Sequence, residues 1–251
     1  MCKCMRIHLM YHDVFEQNPN ESGFLQKRDL PYKINAVVFE NHVKAISDYC
    51  IERDLPKESV VFTFDDGGKS FYHVIAPILE KYGYVGVFFI STNYIGMDTF
   101  LTEDEIQKLH KSGHIIGSHA HHHVHMNALN DTQIQYEWST SVKILENIIG
   151  EPITFASIPN GDMTKSVIAG ASNCGIEYLY TSEPLEKVTL FNRMKIVGRY
   201  VLLSESTIDE VISIVSSPIY RKLLYYKRLV LRIAKLLLGK YYIKFKNVLY
   251  K

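Results

Sequence analysis

The side chains able to do chemistry gather in two short stretches, Thr63-Phe64-Asp65-Asp66-Gly67 and His119-Ala120-His121-His122-His123. Side chains alternate along a strand, so adjacent carboxylates at a strand end can divide their labour. One can bind a metal while the other faces a substrate or water. The apolar run Val60-Val61-Phe62 ahead of the pair marks such a strand. His119 and His123 are four apart, so a helical turn would point both imidazoles the same way. One Asp and two His suit Zn2+ or a similar divalent ion and leave a coordination position for water. Together the stretches read as a metal-dependent hydrolase site with a spare carboxylate. His122 is the fallback ligand if the local turn differs.

The elements that must position these groups follow from periodicity. Residues 6–11, 59–64, 85–90, 115–116, 153–158 and 176–180 read as strands. Residues 36–53, 70–82, 131–149, 164–173 and 207–216 read as helices, and Thr102 with Glu105 forms a capping box opening another. Gly83 and Gly150 are the expected helix stops. A long polar loop with Pro19, Asn20 and Gly23 follows the first strand. Alternating strands and helices imply a parallel sheet covered by helices. The candidate groups all follow strand C-termini, where barrel enzymes build their sites. The expected fold is therefore α/β, a distorted (β/α) barrel rather than an open doubly wound sheet.

A chain of 251 residues with 47% hydrophobic content suits one barrel-sized domain. It contains no apolar run of about 18 residues, so no spanning helix is expected. Met1–Arg6 does not open a signal peptide, and the short apolar stretch behind it is broken by His8, His12 and Asp13. Cys2, Cys4, Cys50 and Cys174 do not form a disulfide framework, and a reduced, cytoplasmic protein is expected. The net charge of +1 conceals an asymmetry. Residues 218–251 hold ten basic residues and no acid, which leaves residues 1–217 at −9. Residues 1–217 are thus read as the barrel and 218–251 as a basic amphipathic tail, helical over about 219–238. Such a helix suits peripheral contact with anionic membrane lipid, or docking on the barrel or another subunit. Nucleic acid is not an expected partner, because the acidic body would repel phosphate.

Several segments resemble the polysaccharide deacetylases of carbohydrate esterase family 4, the NodB homology domain. Thr63–Gly67 resembles the family's first motif. Gly117–His123 resembles the second, His-Ser/Thr-x-x-His, with Ala120 where Ser or Thr is usual. Phe155-Ala156-Ser157-Ile158-Pro159-Asn160-Gly161 resembles the third, and Leu9-Met10-Tyr11-His12-Asp13-Val14 resembles the opening strand of one subset. The resemblance spans roughly residues 6–205. It implies that Asp66, His119 and His123 hold a divalent metal, Zn2+ first, with Co2+, Ni2+ or Mn2+ as alternatives. Asp65 would be the base that deprotonates the attacking water, and an acetylated glycan would be the substrate. A backbone N–H near Pro159, Asn160 and Gly161 would help hold the oxyanion. Two departures stand out. Ser157 occupies the position of a base-orienting Arg, for which Arg193 or Arg199 is the expected replacement. No His follows His125, so the usual C-terminal general acid is missing, and His12 is the candidate in its place. The rival readings are a degenerate member that binds glycan without hydrolysis, and a hydrolase of another non-peptide C–N bond.

Overall fold

The computed structural model describes residues 6–238, with side chains as far as Ala234. Cys2, Cys4 and the basic residues after Leu238 lie outside the described residues. In chain order the strands and helices are β1 (Ile7–Tyr11), β2 (Asp13–Phe15), β3 (Lys33–Asn35), α1 (Ala36–Glu52), β4 (Val60–Phe64), α2 (Ala76–Lys81), β5 (Gly86–Ile90), α3 (Glu103–Lys111), β6 (Ile115–Ser118), α4 (Asp131–Ile149), β7 (Phe155–Ser157), α5 (Lys165–Asn173), β8 (Tyr178–Tyr180), β9 (Thr189–Phe191), β10 (Met194–Val197), β11 (Tyr200–Val201), α6 (Ile208–Ser216) and α7 (Pro218–Leu238).

Nine strands form one sheet in the order β11-β1-β4-β5-β6-β7-β8-β10-β9. All neighbours run parallel except the hairpin β9–β10. The central strands β4 and β5, VVFTF and GVFFI, are nearly continuous apolar runs, as strands covered on both faces must be. Along β5 the side chains divide by parity. Phe88 and Ile90 join the large core beneath the helices, while Val87 and Phe89 join Tyr180 and Val197 in a smaller inner cluster.

The sheet curls almost shut. β10 lies near one edge and β11 is the other, yet only Gly198 and Arg199 separate them in sequence. Three Cα steps reach at most about 11 Å, so the two sides of the sheet approach that closely. Gly198 permits this, because a Cβ there would lie 2.5 Å from the Leu185 carbonyl oxygen and 2.6 Å from that of Glu183. The expected distorted (β/α) barrel is the fold observed.

Caps fix the helices close to where the sequence places them. Asn35 caps α1, Thr102 and Glu105 form the capping box of α3, and Asn130 and Gln133 that of α4. Two local readings change. The helix expected over 70–82 is a π-turn at Phe71–Ile75 followed by α2, since Pro77 cannot donate to the turn before it. The long loop after β1 also contains β2 and β3, which pair in parallel as a separate two-stranded sheet.

Candidate active site and metal centre

The C-terminal ends of six strands of the large sheet meet at one mouth. His12 follows β1, Asp65 and Asp66 follow β4, His119 follows β6, Pro159–Gly161 lies just past β7, Thr181 follows β8 and Arg199 lies just past β10. Asp65 continues the ladder, its N–H donating to the Tyr11 carbonyl at 3.2 Å. The chain then turns sharply, and Asp66 takes a left-handed φ of 89°. This turn sends adjacent carboxylates to different tasks.

Asp66 Oδ1 lies 3.4 Å from His119 Nε2 and 3.2 Å from His123 Nε2. One ligand atom from each residue falls within 4.8 Å of the others. Asp66 Oδ1 is buried and has no partner in hydrogen-bond geometry, so the three groups converge on a point rather than on one another. His119 Nδ1 sits 3.0 Å from the Ser157 carbonyl oxygen, which can only accept. The proton therefore sits on Nδ1, and Nε2 turns its lone pair to the convergence point. One carboxylate oxygen and two imidazole nitrogens fit a divalent cation. Burial pushes the Asp66 carboxyl up, but the charge of His123 and the approach of both imidazoles hold it well below the usual range. Burial lowers His123, and Asp66 more than reverses this, leaving it raised.

The two histidines do not lie on a helical turn. Residues 119–123 form a loop in which Ala120 and His123 have φ of 58° and 56°. Glu137, buried on α4, shapes that loop. Its carboxylate accepts from the backbone N–H groups of His121 and His122 at 3.1 and 2.8 Å, and its Oε1 lies 2.7 Å from His122 Nδ1. His122 is thus engaged by Glu137 and stands apart from the convergent group. His121 Nδ1 pairs with Thr92 Oγ1 at 2.8 Å.

Asp65 is held by Arg199. The guanidinium donates to Asp65 Oδ1 at 2.6 Å and Oδ2 at 2.8 Å, to Thr63 Oγ1 at 3.1 Å and to the Thr181 carbonyl at 3.1 Å. Both residues of this fork are buried. Burial pushes the Asp65 carboxyl up, and the charges of Arg199 and His119 with the Arg199 hydrogen bonds bring it below its ordinary value. Arg193 is elsewhere, exposed on the β9–β10 turn. Ser157, the residue at the position for which Arg193 or Arg199 was the expected replacement, donates to Asp65 at 3.1 Å and lies 2.5 Å from His119 Nδ1. It ties Asp65 to His119.

His12 borders the same site. Its Nδ1 is buried without a hydrogen-bond partner, and its ring packs on Tyr32 with centroids 4.5 Å apart. Burial pushes the imidazole below its ordinary value, against the pull of Asp66 and Asp65. The next residue, Asp13, is buried and accepts from Ser22 at 2.6 Å and Ser70 at 2.9 Å. This latch pins the 16–32 segment to the turn after β4. That segment also brings Phe24 against His123, with centroids 4.9 Å apart. Pro159–Gly161 forms a turn in which Asn160 has φ 57° and its amide donates to the His123 carbonyl at 3.4 Å.

Sequence reading missed Glu137, Ser157 and Tyr32 as parts of the site. Glu137 left one signal, an acid beside Ile134, Trp138 and Ser141 on the buried face of α4.

The family model for polysaccharide deacetylase matches residues 52–179. Bacillus subtilis YxkH, which carries a polysaccharide deacetylase name, is 29% identical over 190 residues, covering 70% of this chain and 64% of that protein. This chain thus spans under two thirds of that relative. Among solved structures, the Streptococcus pyogenes deacetylase PplD in complex with acetate superposes with a TM-score of 0.70 at 18% identity, covering 84% of this chain and 98% of that one. The de-N-acetylase from Aggregatibacter actinomycetemcomitans gives 0.68 at 21% identity, covering 83% and 99%. These likenesses establish a common fold.

Proposed function

Because this chain belongs to the polysaccharide deacetylase family, we propose that it is a metal-dependent hydrolase that removes N-acetyl groups from an acetylated amino sugar, oligosaccharide or polysaccharide. One observation carries the reading: an Asp66, His119 and His123 cluster with a second carboxylate, Asp65, fixed beside it by Arg199. Asp66, His119 and His123 would hold a divalent ion, with Zn2+ the first choice and Co2+, Ni2+ or Mn2+ as alternatives. Such an ion supplies Lewis acidity toward the acetamide carbonyl and brings a water pKa down to about 7.

The chain's own residues do the rest. Asp65 stays ionised and accepts the proton of the attacking water. Arg199 and Ser157 keep its carboxylate in one orientation. Backbone N–H groups of Asn160 and Gly161, in the turn past β7, would help hold the developing oxyanion. The C–N bond then breaks, and the leaving amine must gain a proton. His12 is the proposed donor, since its buried Nδ1 lacks a partner and the chain has no His after His125. The products are acetate and a free amino sugar.

The test pairs metal content with acetate release from acetylated chito-oligosaccharides, in wild type and Asp65→Asn. Asn keeps the side-chain volume around the buried guanidinium. The expected result is metal in both proteins, with acetate release lowered about 10²–10⁴-fold in the variant. Metal in both with no acetate from either, on any acetylated sugar, would favour the glycan-binding or alternative C–N reading. Neither protein binding metal would overturn the site. A cytoplasmic location is part of the proposal, argued from four cysteines whose spacing does not make a disulfide framework. Cell fractionation would decide the compartment.

A further inference from the structure

Helix α7 carries a row of large apolar side chains on its outward face. Ile219, Leu223, Tyr226, Val230 and Ile233 are 81%, 60%, 59%, 48% and 47% exposed. Their spacing of 4, 3, 4 and 3 confines them to an arc of about 80° at 100° per residue. Arg221 and Leu231, about 160° and 120° round the helix from the centre of this row, are buried. Two arginines hold the helix in this roll. Arg221 donates to the Ile214 carbonyl at 2.7 Å and the Val215 carbonyl at 3.1 Å, and pairs with Glu186. Arg228 reaches Glu183 at 3.4 Å.

Charge selects the occupant. Lys222 and Lys227 border the row on its two sides, and residues 218–251 contain no acid. In a second copy packed along the row, Lys222 and Lys227 would meet their own kind, which disfavours self-association. An anionic bilayer answers both features, taking the apolar row into the acyl boundary and the cations at the headgroups. No described helix is long and apolar enough to cross a membrane, so the contact lies in the interface plane.

We infer that α7 is an in-plane anchor for an anionic lipid surface. Glu183 and Glu186, which hold it, lie on the loop leaving the catalytic end of β8. Docking through this face therefore sets the mouth of the barrel relative to the bilayer. Resting on the deacetylase reading, this favours an acetylated glycan carried on lipid.

Vesicle partition tests the surface without reference to activity. The full chain is sedimented with vesicles of phosphatidylcholine alone or mixed with phosphatidylglycerol. It should partition at least about tenfold more strongly to the mixed vesicles, and high salt should reverse this. Leu223→Glu with Val230→Glu should abolish partition while the thermal midpoint and metal content stay at wild-type values. Lys222→Glu, at the edge of the row, should weaken the preference for anionic lipid. Equal partition to both vesicles, or undiminished binding by the Leu223→Glu/Val230→Glu protein, would overturn the inference. So would a wild-type dimer that those two substitutions make monomeric, with no vesicle uptake by either protein.

Discussion

Arg199 decides whether Asp65 can serve as a base. It meets Asp65 through two parallel bonds at 2.6 and 2.8 Å in a site closed to solvent. Removing one member of a buried ion pair strands the other and costs about 3–5 kcal/mol. Arg199→Met should therefore lower unfolding free energy by about that amount in urea titration, and acetate release should fall with it. Arg199→Lys restores the charge without the fork and should recover only part of both. A wild-type urea midpoint in Arg199→Met would contradict this account. For His12, truncation to Ala should cost about 10²–10⁴ in rate with metal content unchanged. A smaller loss in the metal-loaded variant would move the proton donor elsewhere. Asp65 and Asp66 were visible in the sequence as a pair with two jobs. Their partners were less so, because Arg199 lies 134 residues from Asp65 along the chain. Only the sheet's closure chooses it over Arg193.

Among the elements, α4 acts on the site from behind. Glu137 gathers the backbone of His121 and His122 and so shapes the loop that delivers His119 and His123. Outer partners of this kind are worth about 10–100-fold in metal affinity, so Glu137→Gln should weaken metal binding by that factor. Competition with a chelator would measure it, and unchanged affinity would reduce Glu137 to a packing residue. The helix itself was legible, since α4 spans the residues that its periodicity and the Gly150 stop predict. The histidine loop was misread as a helical turn. Spacing alone cannot distinguish a helical turn from a loop bent by two left-handed residues, Ala120 and His123.

The whole molecule carries a pH liability inside the barrel. His8 on β1 packs edge-on against Tyr180 with centroids 5.4 Å apart, and its Nδ1 is buried without a partner. Burial first, then the charges of Arg199 and Arg6, push its pKa down to about 4. The unfolded chain takes up this proton near pH 6.5 and the folded one only near 4. Below pH 6.5 the unfolded state binds more protons, so stability rises with pH across this window and is lost as pH falls through it. His114 adds in the same direction, because burial lowers it and its Nδ1 accepts from the Gly86 N–H at 3.0 Å. Urea midpoints should drop between pH 6.5 and 4, and His8→Phe should flatten the drop by no more than about 3 kcal/mol. A His8→Phe profile parallel to wild type would remove His8 as the cause.

By itself the sequence determined the alternation of strands and helices, the caps that bound the helices, and the motif residues Asp65, Asp66, His119 and His123. These depend on local periodicity and on neighbours a few residues apart, which the chain displays directly. Tertiary structure alone decided that Arg199 and Ser157 grip Asp65, that Glu137 holds the histidine loop, and that α7 turns its apolar row outward. Each of these pairs groups far apart in the chain, and it is the curling of one nine-stranded sheet that brings the residues of the mouth together.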